Sequence, residues 1–246
     1  MRSAPGLSPP PHFNTIMKTY IESKEVAQLE EAASNPRDRL LIRILAKLAC
    51  RISEALSILV GNIDFINRTV TIKHLKTSIV VTCPECKHRL TRKSVYCPGC
   101  GVKVKDTVTK AIANHRMRTL PIDKVTLELI KEYIEANSLL DDNSKLFNIS
   151  RHRAWQIVSN CAAKAGLPKL VNPETGKIHG ISPHKLRDAF AIRAMKSDDS
   201  GEGMRLLQEH LGHSSFNTTA RYRKISGDEH RDWYDRLWCD QSEDPK

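Results

Sequence analysis

The sequence lacks any long run of apolar residues. No stretch approaches the roughly 18 apolar residues that a membrane-spanning helix needs. The N-terminus also lacks the apolar segment that marks a secretory signal. Both absences argue against membrane insertion and against export, so we expect a cytoplasmic protein with no membrane partner.

Acidic residues are in short supply. The chain has 28 aspartates and glutamates against 39 lysines and arginines, giving a formal net charge of +11 and a pI near 9.4. Such an excess of positive charge indicates a polyanionic partner, and nucleic acid is favoured because no basic amphipathic anchor stands out. With 246 residues, 40% of them hydrophobic, the chain can form one large or two small domains with a real core.

Helical periodicity begins after a short proline-rich segment. Residues 1–18 contain several prolines and few apolar side chains, so we expect a flexible tail there. Further along, apolar residues recur every three to four positions from Leu41 to Ile52. This spacing predicts a strong amphipathic helix with Arg51 at its end.

Three short segments have the two-residue period of β-strands. Residues 63–66 and 70–73 alternate on either side of a turn at 67–68, which predicts a β-hairpin. Residues 118–122 predict a third strand that returns to the hairpin. Helical patterning resumes after it, so the predicted fold class is mainly α with a small antiparallel β-sheet (α+β).

Four of the seven cysteines form two C-x-x-C pairs within the segment that separates the second and third strands. Two such turns present four thiolates in a tetrahedral S₄ shell, which is the preference of structural zinc. The expected ligands are Cys83, Cys86, Cys97 and Cys100. Because protein fills all four positions, no catalytic water is expected on the metal. Two redox-active dithiols are the alternative, but the thioredoxin-like βαβ pattern they would need is absent.

The stretch from His184 to Tyr222 concentrates the candidate catalytic residues. Ser182 and Pro183 predict a helix start, which puts His184 in the first turn and Arg187 one turn further on the same side. A glycine ends a later helix immediately before His213. We expect Tyr222 to lie one turn into a further helix that starts at 217 or 218.

This arrangement resembles the catalytic C-terminus of the tyrosine recombinases, the phage-type integrases and chromosome-dimer resolvases. There H-x-x-R is followed by L-G-H-S and then by a nucleophilic tyrosine. The family's upstream signature, G-x-R-x-S-E, matches Ala49-Cys50-Arg51-Ile52-Ser53-Glu54, with alanine in place of the usual glycine. The resemblance covers about residues 20 to 238. An arginine paired with Glu54, or with one of the glutamates at 30 and 31, is the alternative interpretation of Arg51.

The resemblance implies a DNA recombinase that forms a 3′-phosphotyrosyl link and releases a 5′-hydroxyl, without a catalytic metal or nucleotide. Tyr222 would be the nucleophile, and Arg51 and Arg187 would hold the phosphate oxygens. His213 would donate a further hydrogen bond, and His184 would assist proton transfer. Glu54 is expected to orient an arginine. In this family strand exchange proceeds in a tetramer on double-stranded DNA, so a homo-oligomer in the cytoplasm, associated with a prokaryotic nucleoid or a virus, is expected.

The family also carries a lysine at the turn between the second and third strands of its sheet, which would protonate the leaving 5′ oxygen. Lys76 matches that place in this sequence. A plain surface lysine is the alternative, and Lys73, Lys110 and Arg116 compete for the same role.

Further basic residues are candidates for phosphate contacts. Those around the cysteines are Lys87, Arg89, Arg92 and Lys93, and Arg151 and Arg153 lie in the first turn of a helix that Ser150 caps. A solvated charged face is the alternative for the first group.

The expected domain organisation is a catalytic domain over 19–240, interrupted by a zinc ribbon over 79–112, with tails at 1–18 and 241–246. Tyrosine recombinases usually carry a DNA-clamping domain before the catalytic one, and fewer than about 25 residues precede the first predicted helix here. Two other functions remain open: a DNA-binding accessory protein without activity, and a type IB topoisomerase. The L-G-H-S motif and the short length favour a recombinase over the latter.

Overall fold

A computed structural model gives the arrangement of most of the chain. It describes residues 18–73, 77–91, 94–104, 109–113, 117–172, 175–213, 215–220, 222 and 234–237. The predicted N-terminal tail lies outside these residues except for Lys18, and the predicted C-terminal tail lies outside them entirely. None of the described helices is long and apolar enough to cross a membrane.

The described chain is mainly helical, as predicted. The helices are α1 (Ser23–Glu31), α2 (Pro36–Lys47), α3 (Ile52–Ala55), α4 (Lys124–Ala136), α5 (Arg151–Lys164), α6 (Pro183–Ser197), α7 (Gly201–Leu211) and α8 (Phe216–Ala220). Residues 234–237 are also helical. The strands are β1 (Ile63–Asp64), β2 (Thr69–Lys73), β3 (Thr77–Thr82), β4 (Arg89–Leu90), β5 (Thr109–Ala113), β6 (Met117–Pro121), β7 (Leu170–Val171) and β8 (Ile178–His179).

Helix α2 is the centre of the core. Asn35 caps its N-terminus through a hydrogen bond from the Asp38 amide, and Pro36 supplies the first helical residue. Leu41, Ile44 and Leu45 are completely buried. The helix packs against α1, α4 and α6. The apolar stripe of α2 therefore holds α6, which carries the H-x-x-R motif, in a fixed place.

The predicted helix from Leu41 to Ile52 is wrong at its end. Helix α2 stops at Lys47, Ala49 takes a left-handed conformation with φ of 48°, and Arg51 becomes the N-cap of α3. A left-handed residue ends an α-helix because it turns the chain away from the helix axis. Hydrophobic periodicity continued across the break because both α2 and α3 bury apolar residues in the same core.

The carbonyl groups left open at this break are bound by side chains from two later helices. Nε2 of His210, on α7, donates to the Leu48 carbonyl at 3.1 Å, and Nη1 of Arg187, on α6, donates to the Ala49 carbonyl at 2.6 Å. The last carbonyls of a helix need partners from outside it. The end of α2 is therefore joined to both α6 and α7.

The predicted three-stranded sheet is confirmed, with β2 paired antiparallel to β1 and β6. A second sheet has the order β4-β3-β5. Lys73 pairs with Met117, and four residues on, Thr77 pairs with Ala113. Strands β3 and β5 are therefore paired in the same register as β2 and β6. The cysteine segment lies in the chain between β3 and β5.

Two details of the chain before and at the start of α6 were not predicted. The segment from Gly166 to Gly180 contains the β7–β8 hairpin, whose two-residue strands are too short to show a period. Ser182 is the N-cap of α6, but its side chain makes no capping hydrogen bond. Pro183 is the first residue of α6, as predicted.

Candidate active site

A cleft of about 750 Å³ gathers residues from distant parts of the chain. The start of α3, the first turns of α5 and α6, and the chain on both sides of α8 contribute to its walls. Five of the six predicted catalytic residues line it: Arg51, His184, Arg187, His213 and Tyr222. Lys76, the sixth, lies outside the described residues.

Arg187 is the most buried of these residues, with 3% of its surface exposed. Besides the Ala49 carbonyl, its guanidinium binds the Leu211 carbonyl at 2.6 Å, and Nη2 lies 3.1 Å from Nε2 of His213. Burial, and then the charge of Arg51, lower the pKa of Arg187, but arginine stays protonated in proteins. A fixed positive charge is thereby held at the base of the cleft.

Arg51 and Arg118 share one carboxylate. Glu54 is 1% exposed and accepts from Arg51 Nη1 at 2.9 Å and from Arg118 Nη2 at 2.8 Å. The predicted contact between Glu54 and an arginine is present. The alternative interpretation of Arg51, an arginine paired with Glu54, also holds, and Arg51 lines the cleft at the same time. Burial raises the pKa of Glu54, but Arg118 and then Arg51 outweigh it and lower the pKa to about 2.

Arg118 was not among the predicted site residues. It lies on β6 and alternates in phase with Leu120, which is buried, so its side chain is on the inner face of the sheet and 12% exposed. An arginine in phase with the apolar residues of a strand was the available signal. Gly212 faces it: a Cβ at Gly212 would lie 2.9 Å from Nη1 of Arg118. The glycine of L-G-H-S is needed both for this approach and for its φ of 65°.

His213 is held from both sides of its ring. Since an arginine can only donate, Nε2 of His213 accepts from Arg187, and Nδ1 donates to the buried Thr219 hydroxyl at 3.0 Å. Burial, and then the charge of Arg187, lower the pKa of His213 to about 4. The imidazole is therefore neutral at pH 7.

Tyr222 lies just beyond the described end of α8. Helix α8 begins at Phe216, one residue before the earlier of the two predicted starts, and Tyr222 is in a 3₁₀ conformation, with residue 221 outside the described residues. The phenol donates to Oδ1 of Asp188 at 3.2 Å, and its ring stacks near His213 with centroids 6.2 Å apart. Burial, and then Asp188, raise the pKa of Tyr222 to about 12. The hydroxyl thus keeps its proton at neutral pH.

His184 occupies the mouth of the cleft. Its side chain is 72% exposed, and Nε2 lies 3.8 Å from Oδ1 of Asp188. Nζ of Lys185 lies 3.4 Å from Oδ2 of the same carboxylate. His184 and Arg187 both reach the cleft from one helix, but only Arg187 is buried.

The other predicted basic residues lie at the surface or outside the description. Lys87 and Arg89 are exposed beside the cysteines, and Arg92 and Lys93 lie outside the described residues. Arg151 and Arg153 are exposed in the first turn of α5, and Arg151 also lines the cleft. The cap by Ser150 is confirmed.

The four cysteines of the C-x-x-C pairs come together as a candidate metal centre. All four sulfur atoms lie within 4.8 Å of one another, with Cys83 and Cys100 at 3.6 Å and Cys86 and Cys97 at 3.5 Å. A tetrahedral metal with bonds of about 2.3 Å separates its sulfur ligands by about 3.8 Å. These cysteines can therefore bind one metal ion.

Two arginines, two histidines and a tyrosine around one cleft match the set that the resemblance to the tyrosine recombinases predicts, apart from its lysine. The model of the phage integrase family matches residues 19–96 and 100–229. The chain belongs to the phage integrase family.

Curated relatives agree with this assignment. The chain is 26% identical over 232 residues to the tyrosine recombinase XerD of Neisseria meningitidis serogroup B, covering 88% of this chain and 62% of the relative. It is 26% identical over 223 residues to the tyrosine recombinase XerA of Pyrococcus furiosus, covering 86% of this chain and 59% of that protein. The chain thus spans about three fifths of the length of these relatives.

Solved structures have the same fold. A crystal structure of XerA recombinase superposes with a TM-score of 0.62 at 19% identity, covering 94% of this chain and 67% of that one. XerH site-specific recombinase bound to its difH substrate superposes with a TM-score of 0.56 at 20% identity, covering 87% of this chain and 53% of that one. The helical fold with its small antiparallel sheet is therefore that of a tyrosine recombinase catalytic domain.

Proposed function

We propose that this chain is the catalytic domain of a site-specific DNA recombinase that cleaves and rejoins DNA through a 3′-phosphotyrosyl intermediate. The observation that supports it is the convergence of Arg51, His184, Arg187, His213 and Tyr222 on one cleft, although up to 171 positions separate them in the sequence. The strong positive charge supports double-stranded DNA as the substrate, and so does the likeness of the fold to XerH site-specific recombinase bound to its difH substrate.

In the proposed reaction the Tyr222 oxygen attacks phosphorus and the 5′ oxygen of the next nucleotide leaves. Arg51 and Arg187 hold the non-bridging oxygens, because a planar guanidinium donates two parallel hydrogen bonds to such oxygens and is always charged. His213 contributes a further hydrogen bond once the phosphate's charge favours its protonated form. His184 assists proton transfer from the tyrosine, and Lys76 protonates the leaving oxygen.

The covalent link keeps the energy of the phosphodiester, so rejoining needs no nucleotide or catalytic metal. Strand exchange requires several active sites on two duplexes, and we assign a homotetramer on DNA to this step. Prokaryotic or viral DNA in the cytoplasm is the proposed setting.

A nicked duplex tests this function. The substrates are duplexes tiled across the DNA that flanks the gene, each with a nick near the cleavage point. After cleavage the short fragment beside the nick dissociates, so the enzyme cannot rejoin the strand and stays covalently attached. We expect a protein–DNA adduct that survives denaturing electrophoresis. An accessory protein would bind the same duplexes without an adduct, and a topoisomerase would relax supercoiled plasmid without sequence preference.

We also propose that the four-cysteine centre, within a ribbon at 79–112, holds one structural zinc ion. Apart from Cys83 and Cys97, the described buried cluster of this segment consists of Leu90, with Val104 packed against it. A module of fewer than about 40 residues seldom folds on its apolar core alone, so we expect metal binding to fold this one.

Zinc removal is expected to unfold the ribbon before the helical core. Elemental analysis should find one zinc per chain, and a strong chelator should speed hydrogen exchange at 83–104 while α2 stays protected. Cys86→Ser should lose the metal, whereas Cys161→Ser, a change outside the cluster, should keep it. Absence of zinc, or only three free thiols in non-reducing denaturant among the seven cysteines, would contradict the site.

The basic residues around the C-x-x-C pairs are proposed to contact DNA phosphates. Each contact releases counterions, so binding should weaken with salt at a slope of about −0.9 per contacted phosphate. Replacing Lys87, Arg89, Arg92 and Lys93 together by glutamine should lower the affinity and flatten this slope by about 2 to 4 units.

The control for this prediction is replacement of Lys124 and Lys131, exposed lysines of α4, which should change the slope much less. Zinc content and cleavage at saturating protein should persist in both variants. An unaltered salt slope in the four-residue variant would mean that these charges form only a solvated face. Arg151 and Arg153 would then be the remaining candidates for backbone contacts.

A further inference from the structure

Asp188 is a carboxylate in the wall of the cleft that the proposed function does not use. Oδ1 accepts the hydrogen bond of the Tyr222 hydroxyl at 3.2 Å and lies 3.8 Å from Nε2 of His184. Oδ2 lies 3.4 Å from Nζ of Lys185. Its side chain is 18% exposed, and Asp188 lines the same cleft as the two arginines.

A negative charge in this position calls for an explanation. The cleft is proposed to bind a phosphate, and a carboxylate repels an anion. The other carboxylate nearby, Glu54, is buried between Arg51 and Arg118, so its charge is compensated. Asp188 instead directs an oxygen at the nucleophile itself. Lys185 compensates part of the Asp188 charge, so the feature that needs an explanation is this direct contact with the nucleophile.

Tyr222 needs a group that takes its proton. Its pKa is raised to about 12 by burial first and by Asp188 second, so a free phenolate is rare at neutral pH. Arg187 acts in the opposite direction and lowers the pKa, so the phenol is influenced both by the carboxylate and by the guanidinium that would hold the phosphate. A proton acceptor must lie within about 2.6–3.2 Å of the group it serves. Asp188 is at that distance.

We propose that Asp188 is a further catalytic residue, the acceptor of the Tyr222 proton during DNA cleavage. This inference rests on the proposed function. As the bond from the Tyr222 oxygen to phosphorus forms, the hydroxyl proton passes to Oδ1 of Asp188. The phosphorus–5′-oxygen bond breaks, and the oxygen leaves with its electron pair and takes a proton from a lysine ammonium or from water.

Rejoining runs the same steps backwards. The 5′ hydroxyl gives its proton back to the lysine or to water as its oxygen attacks phosphorus, and the neutral Asp188 returns its proton to the Tyr222 oxygen as that oxygen leaves. Lys185 holds Oδ2 and so keeps Oδ1 directed at the phenol. His184, near Oδ1 and open to solvent, can exchange the proton between Asp188 and water. His184 thus acts on the tyrosine through Asp188.

The test compares single-turnover cleavage of a nicked duplex by wild type and by Asp188→Asn. The amide keeps the size of the side chain but cannot take the proton. We expect cleavage to slow by about 100-fold or more, within the range of general base catalysis. DNA binding should stay equal or become tighter, because a negative charge is removed. Asp188→Glu should recover part of the rate. Glu209→Gln, which removes one exposed negative charge from α7, is the control and should cleave like wild type.

A second substrate separates the nucleophile from the leaving group. A duplex with sulfur in place of the bridging 5′ oxygen has a leaving group that needs no proton. If Asp188 serves Tyr222, Asp188→Asn remains slow on this duplex. Recovery of the rate on sulfur would place Asp188 at the leaving group and overturn the inference.

The outcomes also distinguish this inference from the proposed function. Failure of wild type to form any adduct refutes the proposed function. An adduct formed equally fast by wild type and Asp188→Asn refutes only the role of Asp188. If Asp188→Asn does not fold, as judged by its melting temperature, Asp188→Ser and Asp188→Glu are compared on both duplexes, and equal rates in that pair overturn the inference.

Discussion

Tyr222→Phe is expected to abolish the covalent protein–DNA adduct while the protein still folds and binds DNA. The change removes the oxygen that would attack phosphorus and leaves the ring beside His213 in place. The loss for the fold is one hydrogen bond, to Asp188 at 3.2 Å, which corresponds to about 1 kcal/mol. The adduct is measured by denaturing electrophoresis on the nicked duplex, and binding by gel shift.

Tyr234→Phe is the matched control, because Tyr234 is a second tyrosine near the C-terminus and is 53% exposed. It should form the adduct like wild type. An adduct formed by Tyr222→Phe, or one that disappears in Tyr234→Phe, would remove Tyr222 as the nucleophile.

Glu54→Gln is expected to destabilise the folded protein by about 3 kcal/mol at pH 7. The pKa of Glu54 falls from an ordinary 4.5 to about 2 on folding, and this difference corresponds to roughly 3 kcal/mol that favours the folded state. Glutamine leaves Arg51 and Arg118 without the buried negative charge between them. Urea unfolding of both proteins measures the loss, and cleavage should also decline because Arg51 loses its orienting partner.

The pH dependence of this loss has a definite sign. A carboxylate with a depressed pKa stabilises the fold above its unfolded pKa, and the contribution disappears as the pH falls through the folded pKa. The difference between wild type and Glu54→Gln should therefore be full above pH 4.5 and shrink toward pH 2. Glu202→Gln, which alters an exposed pair with Arg205, should change stability little. A difference that does not depend on pH would contradict the role of Glu54.

The candidate site was largely predictable because its residues occur in short motifs with regular local spacing. Pro183 starts α6, which carries His184 and Arg187, and Gly212 ends α7 immediately before His213. Local backbone preferences determine such starts and ends, so the sequence contains the signal. The two C-x-x-C pairs were equally predictable from the sequence, since each pair is a turn formed by neighbouring residues.

Arg118 and Asp188 could not be assigned in the same way. The role of Arg118 depends on its ion pair with Glu54, which is 64 positions away. The role of Asp188 depends on its hydrogen bond with Tyr222, which is 34 positions away. The helix break at Ala49 was missed for a related reason. Apolar spacing records burial, and the chain stays buried on both sides of the break.

The sequence by itself determined the family, the mainly helical fold and the nucleophile candidate, because motif order and apolar period are properties of neighbouring residues. Only the tertiary structure decided which charges meet. It placed Glu54 between two arginines, joined the end of α2 to Arg187 and His210, and brought the Tyr222 hydroxyl to Asp188. Electrostatic interactions act through space over a few ångströms. Their partners are therefore fixed by packing, which no local pattern in the chain encodes.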